Sequence, residues 1–279
     1  MPELPEVEHV VRALRRVVVG RTIIASEINL PKLISPSSVS SFKRKIKGTS
    51  VTGVSRRGKF ILIECQKPDR KGGLVLVVHL RMTGKFLYLN ADDELPKHSH
   101  AVFYLENDRR LVFRDQRQFG IMRLVSAGDL SQSKGIAELA PEPFSDDFNL
   151  DYLKATLRRS RRSLKTLLLD QTKVLGLGNI YAAEALFRAH INPFKPASEL
   201  SSRRVPMLHR AIKEVLEFAV AHIRGGFNLE AGLSYGEAFE RFWQVYEREG
   251  EPCVKCGTRI KRATHGGRST YWCPRCQRR

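Results

Sequence analysis

Apolar residues recur at spacings of three and four near the start of the chain: Val7, Val10, Val11, Leu14 and Val18. That period predicts a helix over residues 5–18 with one face on a core, and Gly20 supplies a stop signal. The following hundred residues change character. Short apolar runs bounded by Gly, Pro, Asn or Asp occupy Thr22–Ile28, Ser50–Val54, Phe60–Glu64, Leu74–Leu80, Gly84–Leu89, Ala101–Leu105, Arg110–Arg114 and Gly120–Leu124. Eight strands with turn punctuation predict a β-sandwich or barrel. A linker follows over 126–149, marked by Gly135 and Pro141-Glu142-Pro143. Helical spacing then returns in Tyr152–Leu157, Ser163–Asp170, Ile180–Ala189 and Val205–His222. The basic run Arg158-Arg159-Ser160-Arg161-Arg162 is read as part of a helix with Leu153, Leu157 and Leu164 on its apolar side. A less regular stretch, Gly225 to Gly250, leads into a cysteine-rich tail.

The tail changes the picture from packing to chemistry. Cys253-x2-Cys256 and Cys273-x2-Cys276 are separated by sixteen residues. A CxxC pair lets two thiolates converge on one tetrahedral ion, and the spacer suits a hairpin that returns the second pair. Four thiolates close the coordination shell and leave no position for a catalytic water, so the expectation is one structural Zn2+ ion. His265 lies between the pairs but outside the pattern, and the cysteines are preferred as ligands. The fifth cysteine, Cys65, ends the apolar run from Phe60 and reads as a small core residue. From Thr258 onward the tail carries Arg259, Lys261, Arg262, Arg268, Arg275, Arg278 and Arg279 and no acid. A module this small folds around its metal and turns its arginines outward. Arg268, between Gly267 and Ser269, falls at the expected hairpin tip, where a merely solvated arginine is the plainer reading.

Composition narrows the partner. Lys and Arg total 48 against 29 Asp and Glu, a net charge of +19. That excess favours a polyanion, through phosphate neutralisation and counterion release. The longest apolar stretch, Leu74 to Val78, is strand-sized and excludes a helical membrane span. The N-terminus is acidic where a signal peptide is basic, so a cytoplasmic protein is expected.

Three segments together carry a family resemblance: Pro2-Glu3-Leu4-Pro5-Glu6-Val7, Gly176-Leu177-Gly178-Asn179-Ile180-Tyr181-Ala182-Ala183-Glu184, and the tail with Gly267-Arg268-Ser269-Thr270 before its last CxxC. In these the chain resembles the bacterial formamidopyrimidine-DNA glycosylases, which excise oxidised purines such as 8-oxoguanine and ring-opened formamidopyrimidines and then cleave the strand. The endonuclease VIII branch usually has Gly where this chain has Leu4, which favours the purine-directed branch. The resemblance implies an α+β multidomain fold: an N-terminal helix plus β-sandwich over 1–135, a helical helix–two-turn–helix domain over 136–244 and a C-terminal zinc-ribbon finger over 245–279. It implies damaged double-stranded DNA as partner, and a monomeric bacterial enzyme that associates with the nucleoid when bound.

The resemblance also assigns roles. Pro2, exposed once Met1 is removed, becomes a secondary amine. An α-amino group has a pKa near 8, so a usable neutral fraction exists at neutral pH. Such an amine attacks C1′ and forms an iminium, the strategy of Schiff-base enzymes. A proline here also serves simply to start a helix. Glu3 is the adjoining proton-transfer acid, with Glu6 one helical turn on as a supporting charge. Lys59 at the start of an apolar strand assists β-elimination, and Arg268 contacts phosphate and supports δ-elimination. Asn179 and Lys165 match phosphate contacts, with Asn179 expected to cap a helix whose glycine-rich N-terminus attracts phosphate. Arg161 flanks Ser160, where the family often has lysine. Met82, Arg117 and Phe119 match the set that fills the void, faces the orphaned base and unstacks the duplex, and His98 matches a DNA-contacting histidine. By composition alone Met82 and Phe119 read as core. Two departures bear on base choice: Arg117 is followed by Gln118 instead of a second arginine, and the 226–245 segment is short. Oxidised pyrimidines or hydantoins, as for endonuclease VIII-like enzymes, are the alternative substrates. A non-catalytic damaged-DNA-binding protein would need neither Pro2, Glu3 nor Lys59.

Overall fold

The computed structural model describes residues 2–68, 72–222 and 242–278. Contacts divide these into two compact units: 2 and 6–137 in the first, and 3–5, 138–222 and 242–278 in the second.

The first unit is built on helix α1 (Leu4–Val18), whose residues from Glu6 onward belong to it. All five apolar positions of the predicted stripe are at most 1% exposed. Eight strands follow: β1 (Thr22–Ile28), β2 (Thr49–Arg57), β3 (Phe60–Gln66), β4 (Leu74–His79), β5 (Lys85–Asn90), β6 (Ser99–Leu105), β7 (Arg109–Arg114) and β8 (Ile121–Ser126). They form one antiparallel sheet in the order β5-β7-β6-β1-β2-β3-β4-β8. Inward side chains from all eight, including Ile23, Val54, Ile63, Val78, Phe86, Phe103, Phe113 and Met122, share one core with α1. The sheet therefore wraps around a common interior, as a β-sandwich does. Each fully buried leucine or phenylalanine there contributes about 1.5–3 kcal/mol. Cys65 lies in this core, and burial pushes its thiol up to about 12, so it is an inert filler. Helix α2 (Val39–Ile46) lies outside the sequence expectation. Ser38 caps it by accepting from Ser41 N at 3.3 Å, and only Phe42 and Ile46 are buried, too short a pattern to stand out.

The second unit contains α3 (Leu150–Arg158), α4 (Leu164–Leu168), α5 (Asn179–Arg188) and α6 (Val205–His222) around one leucine-rich core that also takes in Leu4. The four predicted helices are all present. The basic run is not helical throughout, however: Arg158 closes α3 and residues 159–162 form the connection to α4. The reason is Ser163, whose Oγ accepts from Thr166 N at 3.3 Å and starts a new helix. A two-stranded hairpin, β9 (Lys261–His265) and β10 (Arg268–Trp272), packs its cysteine-rich base on α5 through Ala183 and Phe187. Among the described residues no helix is long and apolar enough to cross a membrane.

Candidate active site and nucleic-acid interface

In the first unit, Pro2 is buried. Lys59 sits with Gly58 in the tight turn joining β2 to β3, one residue before the strand, and is 6% exposed. A lysine at a strand end is usually solvated, so its burial is the departure. His79, paired across from Phe60, is held neutral: burial lowers its pKa to about 3, and the charges of Arg81 and Lys59 push the same way. Its Nδ1 accepts from Arg81 N at 3.0 Å, so the proton sits on Nε2. His79 was not singled out from the sequence, although it opens the same segment as Met82.

The expected insertion residues are exposed rather than in the core: Met82 at 43% and Phe119 at 52%. The Arg117 guanidinium lies 4.9 Å from the centroid of the Phe119 ring. His98 is exposed with φ of +70°, and Gln118 also has a left-handed backbone, φ +57°. Asp115, fully buried, accepts from Thr83 Oγ1, from Arg117 N at 3.2 Å and from Gly120 N at 2.7 Å.

In the second unit the N-terminal and glycine-rich motifs dock into each other. The Glu3 carboxylate is 2% exposed and accepts three backbone hydrogen bonds at the N-terminus of α5, from Gly178 N (2.5 Å), Ile180 N (2.9 Å) and Tyr181 N (3.3 Å). Leu4 N donates to Gly176 O at 3.1 Å. These contacts explain both glycines. A Cβ on Gly178 would overlap the Glu3 carboxylate, and one on Gly176 would overlap Leu4, besides straining a φ of +87°. The cap of α5 is Gly178. Asn179 is the first helical residue, not the cap, and the anion at this helix N-terminus is Glu3. The physics is as expected, because unpaired N–H groups and the helix dipole attract negative charge.

Asn179 Nδ2 instead donates to Ser269 O at 3.0 Å. Lys165 is 1% exposed, and its Nζ donates to Ser269 O (2.5 Å) and Thr270 Oγ1 (2.8 Å). Its pKa is lowered to about 8, mainly by burial and then by the charge of Arg268, with Glu3 opposing. Both residues thus hold β10 just behind Arg268, which is exposed beside the Gly266-Gly267 tip. Arg161 is exposed in the α3–α4 connection. Glu184, also buried, accepts from Gln244, Val245 and Tyr246 N, each at 3.0 Å, while burial pushes its carboxyl up. The expectation of a short 226–245 segment lies outside the described residues over 226–241.

Cys253, Cys256, Cys273 and Cys276 bring their Sγ atoms within 4.8 Å of one another. The 253–276 and 256–273 separations are 3.9 and 3.5 Å. A tetrahedral zinc ion with Zn–S of about 2.3 Å needs sulfurs about 3.8 Å apart, so the donor set fits one zinc ion. His265 is not among them; its Nε2 pairs with Ser163 Oγ at 2.7 Å. Gln277 ties the metal end to the helical core, accepting from Cys273 N and donating to Ile191 O, each at 2.9 Å.

Three family descriptions match the chain: the formamidopyrimidine-DNA glycosylase N-terminal domain over residues 1–122, the H2TH domain of the same enzymes over 139–230, and the zinc finger found in FPG and IleRS over 250–279. A formamidopyrimidine-DNA glycosylase of Pelotomaculum thermopropionicum is 44% identical over 280 aligned positions, covering 100% of this chain and 99% of that one. Two Lactococcus lactis Fpg structures superpose over 100% of both chains with TM-scores of 0.90. One, 35% identical, is a complex with DNA containing an abasic site, and the other, 34% identical, with DNA containing an oxidised pyrimidine. The chain belongs to the formamidopyrimidine-DNA glycosylase family.

Lys165 yields a pH signature. Its folded pKa of about 8 is below the ordinary lysine value of 10.5, so the unfolded chain holds the proton more tightly. The cost of burying its charge is full below pH 8 and is relieved as pH rises toward 10.5. Denaturant unfolding should show wild type gaining stability relative to Lys165→Met across that window. Parallel pH profiles for the two would contradict the assignment.

Proposed function

We propose that this chain is a base-excision-repair enzyme, a DNA glycosylase and abasic-site lyase that uses Pro2 as its nucleophile. The carrying observation is that the N-terminal segment is locked in place. Chain ends are normally loose, yet Pro2 is buried and the next residue makes three backbone hydrogen bonds. The kinship with an Fpg bound to abasic DNA supports the abasic-site lyase activity.

The chemistry follows from the residues. After removal of Met1, the Pro2 nitrogen attacks C1′, the bond from C1′ to the damaged base breaks, and the base leaves with the bonding pair after protonation. The nitrogen's own proton is lost and the sugar ring opens to an iminium. Loss of the C2′ proton expels the 3′ phosphate, and a second elimination expels the 5′ phosphate. Glu3 and Lys59 serve these proton transfers. Arg268 neutralises phosphate charge, and His98 and Arg161 contact the backbone. Met82, Arg117 and Phe119 occupy and unstack the duplex around the extruded nucleotide, whose unstacking costs a few kcal/mol. Lys165 and Asn179 serve DNA binding through Ser269, by positioning the hairpin that carries Arg268. The zinc ion organises that hairpin and takes no part in bond making.

The substrate class is oxidised purines, 8-oxoguanine and formamidopyrimidines, in double-stranded DNA. The enzyme acts as a cytoplasmic monomer associated with the nucleoid while bound. Its domains divide as 1–135, 136–244 and 245–279.

Borohydride reduction in the presence of 8-oxoguanine or abasic duplex should trap a covalent adduct, and Pro2→Gly should abolish it. The absence of an adduct with any lesion or abasic site sinks the reading. Stripping zinc with a chelator should abolish DNA binding while the β-sandwich keeps its far-ultraviolet signal. Unchanged affinity after verified metal loss would refute the role of the tail.

A further inference from the structure

We propose that Asp115 is the positioning residue that sets the insertion residues as one rigid group, so that it governs extrusion of the damaged base rather than cleavage of the strand. The proposal rests on the reading of Met82, Arg117 and Phe119 given above. Those residues and His98 sit on three separate connections of the first unit: the β4–β5 turn, the segment before β6, and the β7–β8 turn. Asp115 binds all three. Its Oδ1 accepts from Thr83 Oγ1, next to Met82, and from Arg117 N. Its Oδ2 accepts from Gly120 N at 2.7 Å, next to Phe119. Its backbone N donates to His98 O at 3.1 Å, and its backbone O accepts from Gln118 N at 3.2 Å and from His100 Nε2 at 2.9 Å. Arg117 N is shared with Thr83 Oγ1 at 3.1 Å, which closes the link between the two turns.

Both carboxylate oxygens face only donors, so the site specifies an acceptor-only group of this length. An asparagine with its NH2 toward Gly120 N–H would leave that buried donor unpaired, and with its NH2 toward Arg117 N–H would lose the acceptor that Arg117 N shares with Thr83 Oγ1. The tips themselves are exposed. The left-handed φ of Gln118 and His98 shows that the turns adopt conformations the backbone does not favour alone. An abasic nucleotide has no base to unstack, so a device for extrusion matters less to it.

The test compares single-turnover excision of 8-oxoguanine with cleavage of a preformed abasic site, using zinc-loaded full-length protein. Asp115→Asn and Thr83→Val should lower excision about tenfold or more, as mispositioning of reacting groups does, while abasic cleavage falls less than about threefold. Thr83→Ser, which keeps the hydroxyl, should restore the wild-type ratio. A 2-aminopurine placed beside the lesion should show a smaller unstacking burst in the two impaired variants. Should Asp115→Asn not fold, Thr83→Val carries the same expectation. An excision-to-cleavage ratio unchanged in Thr83→Val overturns the proposal when Met82→Ala and Phe119→Ala do lower it. If those two leave the ratio unchanged as well, the reading of the insertion set fails and the proposal with it.

Discussion

A buried carboxylate and a helix N-terminus each carry a cost that the other removes. Glu3 removed from water without partners would be strongly unfavourable, and the first N–H groups of α5 have no intrahelical acceptors. In this chain they meet, with three N–H groups on one carboxylate. The pairing imposes strict requirements around it. Position 178 must lack a Cβ, position 176 must accept a left-handed φ and leave room for Leu4, and Leu4 must reach the helical core. The residue that carries the proposed nucleophile is joined directly to this anchor. A family acid at position 3 therefore has a structural task that exists before any substrate arrives.

The same helix organises the metal end of the chain. Its middle holds Glu184, whose carboxylate collects the N–H groups of residues 244–246 at the entrance to the zinc module. Its outer face offers Ala183 and Phe187 to the cysteine cluster. Near its N-terminus Asn179 reaches Ser269 O, the carbonyl that Lys165 also holds. Two buried glutamates and one shared carbonyl thus connect the N-terminal residues, the helical core and the tip that carries Arg268 within a single unit.

Much of this was legible in the sequence where the signal is periodic or stoichiometric. The stripe from Val7 to Val18, the eight bounded strands and the paired CxxC motifs each specify an element through local spacing. What the spacing could not reveal is long-range pairing of polar groups. Glu3 and Gly178 are 175 positions apart, so the glycine motif reads as a free phosphate cradle until the carboxylate is seen in it. Lys165 is buried on Ser269 and Thr270, more than a hundred positions away, and Lys59 is buried at a strand end, where lysines are usually solvated. Asp115 looks like an ordinary turn acid, and only its three connections give it meaning. Helix α2 buries only two apolar residues, too few for a periodic signal, and the basic run after Arg158 leaves the helix because Ser163 caps a new one.

The dependence of α5 on Glu3 can be read one amide at a time. Hydrogen exchange of the Ile180 and Tyr181 amides, compared between wild type and Glu3→Gln, is the most direct test. The account predicts strong protection of both in the wild type, and exchange faster by about tenfold or more in the variant, since a lost charge-assisted bond is worth about 1.5–3 kcal/mol. Protection unchanged by the substitution, in a variant that folds, would contradict it.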